Sequence, residues 1–474
     1  MDVLSFDTLK HYPDADPQKV EALYQEALKK LNRKIVVLDD DPTGVQTVHD
    51  IFVYTSWDEE TITKGFLDPH RIFFVLTNSR GFTSDYTRQV HEDIAVTLEK
   101  VSQKTGIDYI LISRSDSTMR GHYPLETATL RAKIEENSPR HFDGEIMAPF
   151  FMEGGRYTLG NVHYVKEGQN LVPAGQTEFA KDKTFGYVSS NIGEYIEEKT
   201  KGEYRAEDTT FITLEELKSL DVEGITQKLL AVENFGKVVV NAISYADIKV
   251  FCAAFIAAVA QGKELMFRSA AAIPKILGGV SDVSLLTKNQ LIEEGEQNGG
   301  IVLIGSHVNK TTQQFEALKN TQQPMEFIEF NQHLVLQENG LENEVERVIA
   351  LADEKIRTGK NVVVYTRRDR FDLDSKDKDK QLEVSVRISD AVTSIIGKLE
   401  VKPRFIIAKG GITSSDVGTK ALRVKKALVM GQIKPGIPVW MTGEDSKFPK
   451  MPYIIFPGNV GEIDTLKEIV DLLS

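Results

Sequence analysis

Cysteine is almost missing from this chain: Cys252 is the only one in 474 residues. An intrachain disulfide is thereby excluded, and a reducing compartment is expected. Cys252 sits in "FCAAFIAAVA", a run of small and apolar residues at helical spacing, where a packed thiol is expected rather than a nucleophile. The nine histidines are scattered, and His49, His122 and His163 show no metal-ligand spacing, so no metal ligand is assigned. No apolar run approaches the roughly 20 residues of a membrane span. The acidic opening "MDVLSFDTLKHYPDADPQKV" lacks the basic-then-apolar pattern of a signal peptide, and a cytoplasmic location is expected. Basic residues are in deficit, 57 against 70 acidic for a net charge of −13, which argues against a dedicated nucleic-acid or anionic-membrane binder. Internal repeats, low-complexity tracts and a Gly-x-x-x-x-Gly-Lys phosphate loop are also lacking.

What is present is a rhythm. "KIVVLDD", "RIFFVLTNS" and "DYILISRSD" read as buried strands ending in polar residues, with a helical pattern around "QVHEDIAVTLEKVSQKTG". "GKVVVNAIS" and "ADIKVFCAAFIAAVAQG" continue it, and "IVLIGSHVNKTTQQFEAL", "NVVVYTRRD" and "RFIIAKGGITSSDVG" restart it. The fold class expected is α/β, with two domains, each a mostly parallel sheet flanked by helices, and an active-site cleft between them. The boundaries read as a helical extension over 1–33, a substrate domain over 34–274, a linker region over 275–298 containing Gly278, Gly279 and "EQNGG", and a nucleotide domain over 299–474.

Polar groups that follow parallel strands gather at one edge of the sheet, the usual place for function. Asp39, Asp40 and Asp41 end the first strand, and three adjacent carboxylates there repel unless a cation or a hydroxyl ligand relieves them. Asp40, Asp41 and Asp116 suit acceptance of substrate hydroxyl hydrogen bonds. Arg80, Arg120 and Arg156 stand in loops and suit bidentate recognition of a carboxylate. Thr43 and Gly44 form a turn that can open a helix. In the second half Gly410, Gly411 and Thr413 end a strand and offer backbone N–H and hydroxyl groups to phosphates, and Gly305 with Ser306 repeats the geometry. Gly458 and Gly461 also read as ordinary turn glycines.

Taken in order, these stretches resemble the four-carbon acid-sugar kinase family. Its Asp-Asp-x-Thr-Gly is similar to Asp40–Gly44, and its Lys-x-Asp-Ser-Thr-x-Arg-Gly to "RSDSTMRG", with Arg114 in the lysine's place before Asp116, Ser117, Thr118, Arg120 and Gly121. "APFFMEGGR" carries Met152 where proline is usual, and "TEFAKD" stands intact. "LIGSHVNKTTQQ", "KGGITSSDVG" and "FPGNVG" are similar to the remaining elements and add Ile412 to the nucleotide-side residues. The resemblance covers about residues 34 to 470. It implies a phosphotransferase with an alcohol acceptor, acting on threonate, erythronate or an oxo-tetronate with ATP and Mg2+. Asp40, Asp41 and Asp116 would be catalytic. Thr43, Gly44, Arg80, Arg114, Ser117, Thr118, Arg120 and Arg156 would bind substrate. Gly305, Ser306, Gly410–Thr413, Gly458 and Gly461 would bind nucleotide. A homo-oligomer stays open.

Two other readings compete. "VVLDDDPTG" also fits an aspartyl-nucleophile phosphatase, with Asp39 attacking phosphorus and Asp41 as acid/base, although Lys409 lies too far along the chain for that pattern's lysine. A non-catalytic sensor of sugar acid and nucleotide is the other, with no output segment to support it.

Overall fold

Lys34–Asp39 is buried at every position, as a strand covered on both faces must be. The computed structural model describes residues 1–369, 371 and 378–474. They divide into two units, one of 1–44 with 56–281 and one of 45–55 with 282–474.

In the first unit seven strands run in the order Thr210–Ile212, Gly236–Val240, Gly144–Ala148, Leu265–Ser269, Tyr109–Arg114, Lys34–Asp39 and Ile72–Leu76, every neighbouring pair parallel. The expected helices Ser84–Thr105 and Tyr245–Ala260 are present. Cys252 is buried in the latter, where burial pushes its thiol far above the ordinary range. Pro17–Lys30 is no loose extension. Its N-terminus is capped by Asp16, it packs on Tyr245–Ala260, and Tyr24 donates to the Ile276 carbonyl at 2.7 Å. A small antiparallel sheet of Leu4–Ser5, Asn170–Pro173, Val162–Glu167 and Arg156–Leu159 was not foreseen. It matters here because Arg156 begins one of its strands.

Register positions the site. Asp39 lies beside Arg114 on one neighbour and Leu76 on the other, and Arg114 lies beside Ser269. The next residues, Asp40, Ser115 and Thr77, therefore leave the sheet at one edge.

The second unit joins a parallel half, Pro452–Phe456, Ile406–Lys409, Ile301–Ile304, Asn361–Thr366 and Met325–Phe330, to an antiparallel wing of Ile51–Tyr54, Lys426–Lys434 and Ile437–Thr442. Ile51–Tyr54 is contributed by a segment that the sequence reading grouped with 34–274. The stretch read as linker is divided as well: Ala272–Gly278 is a helix of the first unit, while Leu286 and Leu291 pack into the second unit's core with Val302, Ile407 and Ile437. Ile304, Lys409 and Phe456 are side by side, so the turns that follow them share one edge. Among the described residues no helix is long and apolar enough to cross a membrane.

Candidate functional site

The aspartates that end Lys34–Asp39 face different ways. Asp39 Oδ1 accepts from Arg114 Nη1 at 3.2 Å, and its Oδ2 is buried without a hydrogen-bond partner. That oxygen points at Gly44, where a Cβ would lie 1.8 Å from it, so the turn Pro42–Val45 closes over Asp39 only because residue 44 is glycine. Asp40 takes a two-pronged contact from Arg80, 2.5 Å from Nη2 and 3.1 Å from Nε, and accepts from Ser115 Oγ at 2.5 Å. Asp41 caps the same turn, its Oδ1 accepting from Thr43 N at 2.9 Å and Thr43 Oγ1 at 2.5 Å. Thr43 is thus the capped residue rather than the cap.

Exposure sorts these groups into two layers. The side chains of Asp39, Asp40 and Arg114 are 1%, 3% and 4% exposed, whereas those of Asp41, Asp116, Arg80 and Arg120 are 18%, 12%, 21% and 26% exposed. The second set is open to solvent, and the first set lies behind it. Arg80 Nη1 lies 3.4 Å from Asp41 and 3.9 Å from Asp116. Arg120 donates from Nε to Asp116 at 2.8 Å and approaches Asp182 at 3.6 Å. The Thr118 hydroxyl also donates to Asp116, and Tyr187 fixes the Thr118 carbonyl at 2.7 Å. His163 is buried, with Nε2 2.8 Å from the Ser117 carbonyl, and burial lowers it to about 4. His122 lies behind Phe82 and edge-on to Phe185.

Burial dominates the electrostatics, and the arginines decide the outcome. Asp39 is raised to about 7 by burial, with Asp40 and Asp41 adding to it and Arg114 opposing. Burial also acts upward on Asp116, but Arg120 and Arg80 outweigh it and hold Asp116 well below the usual carboxylate range. Asp41 is lowered in the same way, with Arg80 and Thr43 overcoming burial. Arg156 differs from its neighbours. Its Nη1 donates to the Gly154 carbonyl, its Nε is buried without a partner, and among the described residues no carboxylate forms an ion pair with it. Burial lowers it, Asp116 opposes that and Arg120 adds to it. The guanidinium groups of Arg120 and Arg156 both lie over the Phe179 ring, at 5.1 and 5.4 Å from its centroid.

In the second unit a cavity of about 310 Å³ is lined by Gly305, Ser306, Gly410, Gly411, Ile412 and Thr413, with Ile388, Val392 and Phe371 on its apolar side. The strand-end turns are tightly fitted. A Cβ on Gly305 would meet Thr413 Oγ1 at 2.4 Å, and Gly410 adopts φ +130° beside Ser306. Beside Gly411 a Cβ would meet nothing within 4 Å, so the cavity is open there. Gly458 packs on Ser306, and its carbonyl accepts from Thr311 Oγ1 at 3.1 Å. Gly461 packs instead on Thr465, away from the lining residues.

Sequence reasoning missed several members. Ser115 stands between two residues it named. Arg268, at the end of Leu265–Ser269, donates to Glu126 at 2.5 Å and supports the Arg120 carbonyl. Phe179 and Asp182 lie in "TEFAKD", which was matched as a motif but given no role. Arg368 donates to the Ser306 carbonyl and Thr312 Oγ1, both at 2.8 Å, and its buried Nε and Nη1 have no partner among the described residues. Among the described residues no cluster of three His, Cys, Asp or Glu is disposed to hold a metal.

Comparison with known proteins agrees with this division. Residues 35–277 match a sugar-binding N-terminal domain and residues 301–466 a nucleotide-binding C-terminal domain. Haemophilus influenzae protein HI1011, of the DUF1537 family, shares the fold at a TM-score of 0.58 and 17% identity, over 92% of this chain and 99% of that one. A Salmonella typhimurium LT2 protein provisionally assigned as a tRNA synthase shares it at a TM-score of 0.63 and 14% identity, over 91% and 98%. A search of curated proteins gives no match. With both domain models matched in order across most of its length, the chain belongs to the four-carbon acid-sugar kinase family.

Proposed function

We propose that this protein is an ATP-dependent kinase that phosphorylates a hydroxyl of a four-carbon acid sugar of the threonate, erythronate or oxo-tetronate type. The observation that carries this reading is Arg156, a part-buried guanidinium whose Nε is buried and which has no carboxylate partner among the described residues, beside carboxylates that hydroxyl groups can reach. Burying a cation without a partner is costly, and a carboxylate ligand supplies the partner. Arg120, already engaged by Asp116 and Asp182, lines the same place over Phe179. Asp41 and Asp116 accept the sugar hydroxyls, and one of them orients the hydroxyl that attacks phosphorus. A strongly basic carboxylate is not required, because phosphoryl transfer relies on positioning and charge neutralisation. Asp40 and Ser115 keep Arg80 in place. ATP is the expected occupant of the glycine-lined cavity, whose volume suits a nucleoside. Magnesium bound to its phosphates would offset their charge.

The phosphatase reading is disfavoured by Asp39, whose carboxylate is enclosed by Gly44 and engaged by Arg114, out of reach of a phosphoester. A sensor without transfer has no observation in its favour. Purified protein with magnesium-ATP, assayed for ADP release with threonates, erythronates, oxo-tetronates and the matching neutral polyols, tests the proposal. Acid-dependent ADP release is expected. Equal rates with neutral polyols would remove the carboxylate from it, and ATP-independent phosphate release from a phosphoester would replace kinase by phosphatase.

A further inference from the structure

Lys409 closes the strand Ile406–Lys409, immediately before the glycine turn of the cavity, and its side chain is fully buried. Lysines are almost never fully buried unless a carboxylate accompanies them. None does here: among the described residues Lys409 has no ion-pair partner. Its Nζ donates to the carbonyls of Pro457 at 2.6 Å and Gly458 at 3.2 Å, and lies 3.8 Å from the centroid of the Phe456 ring. The one charged group that acts on it appreciably is another cation, Lys310. The two carbonyls belong to the turn that packs on Ser306, and Gly410 follows Lys409 directly. One ammonium thus fastens two of the three turns that gather at this edge.

We propose that Lys409 is a positioning residue of the nucleotide site, tying the Pro457–Gly458 turn to the Gly410 turn, and that the phosphates of the bound nucleotide supply the counter-charge its ammonium lacks. This rests on the reading of the cavity as the nucleotide site. A buried ammonium satisfied only by carbonyls is held at a cost in the free protein, and an anion arriving at the adjoining turns lowers that cost. The lysine found in the sequence as a misplaced phosphatase residue thereby acquires a role.

Linkage makes the proposal measurable. Burial first, and then Lys310, lowers Lys409 to about 7 in the free protein. A nearby phosphate raises it, so at ~pH 8 the side chain goes from mostly neutral to charged, and binding draws up to about one proton from buffer to Nζ. At ~pH 6 the group is mostly charged already and draws only about a tenth of a proton.

The experiment is calorimetric titration of the full chain with MgADP, in two buffers of different ionisation enthalpy, at both pH values. The expected result is proton uptake at the higher pH that disappears in Lys409→Met, with binding weakened about tenfold in that variant. Unchanged affinity and unchanged uptake in a folded Lys409→Met protein would overturn the inference while leaving the nucleotide site intact. If the variant does not fold, the wild-type profile decides, and no rise in uptake between the two pH values overturns it. Failure of wild-type protein to bind ADP or ATP would overturn the nucleotide reading itself, and this inference with it.

Discussion

The candidate site of the first unit is made of side-chain charge, with Arg80, Arg120 and Arg156 near Asp41 and Asp116, whereas the described residues lining the cavity of the second unit include no Asp, Glu, Lys or Arg. In the proposed function the first surface reads its ligand through fixed guanidinium and carboxylate geometry. The second offers its own ligand backbone N–H groups, hydroxyls and an apolar wall on the same proposal. Charged groups at a strand end need partners to stay there, so the first site is supported from behind by Asp39, Asp40, Arg114, Ser115 and Arg268. Backbone donors need only space, so the second depends on glycine at the positions where a Cβ would collide.

That contrast can be broken most strongly in the first unit. Asp41→Asn and Asp116→Asn are expected to lower kcat for ADP release by about 100-fold or more, within the range for groups that orient or deprotonate an acceptor. Asp39→Asn, one layer behind, is expected to be much milder. The opposite order, or a phosphoryl adduct trapped on Asp39, would reinstate the phosphatase. Next in size, Arg156→Lys keeps the charge but loses the planar fork, and should raise KM for the acid sugar about tenfold with little change in kcat. Arg120→Lys should also raise KM, with Asp116 less firmly held.

In the second unit the change must act through shape. Gly411→Val has room to fold, because a Cβ there meets nothing within 4 Å. It should weaken ATP binding by about tenfold while sugar-acid affinity, measured separately, is unchanged. Unchanged ATP affinity would move the phosphates away from this turn.

The smallest effect expected is on stability. Asp39 is raised to about 7 in the fold, so its contribution is complete below its unfolded value and is lost as pH rises through about 7. Asp39→Asn cannot titrate. Relative to wild type its thermal midpoint should therefore be higher at ~pH 8 than at ~pH 5 by a few degrees. A pH-independent difference would mean that Asp39 stays ionised against Arg114.

Asp40, Asp41, Asp116 and the loop arginines were legible because charge at the end of an apolar run contradicts burial and needs an explanation. Arg268 was harder to see. It lies in "LMFRS", within an otherwise apolar strand, and its partner Glu126 is far away in sequence and reveals nothing locally. The same holds for Ile388 and Val392 of the cavity wall, since apolar positions on an amphipathic helix look alike whether they face core or ligand. The parallel strands were legible from their continuous apolar runs. Lys426–Lys434 alternates between half-buried and buried along its length, but its run "ALVM" is apolar at every position, so the alternation was not written in the sequence. Nor was its pairing with Ile51–Tyr54, because nothing local to either segment names the other.

That pairing has a consequence for how the protein is made. Tyr54 leaves the ribosome roughly 370 residues before Lys426, its partner in the finished sheet. At about 5–20 residues per second, the early strand waits roughly 20 to 75 s for its mate. Throughout that interval a hydrophobic β-segment, "IFVY", lacks this partner on one edge, and over roughly the last 145 residues of it the whole of the first unit has already been made. Chaperone demand during synthesis should therefore centre on residues 45–55, and a shortened gene product ending before Lys426 would carry this sticky strand permanently.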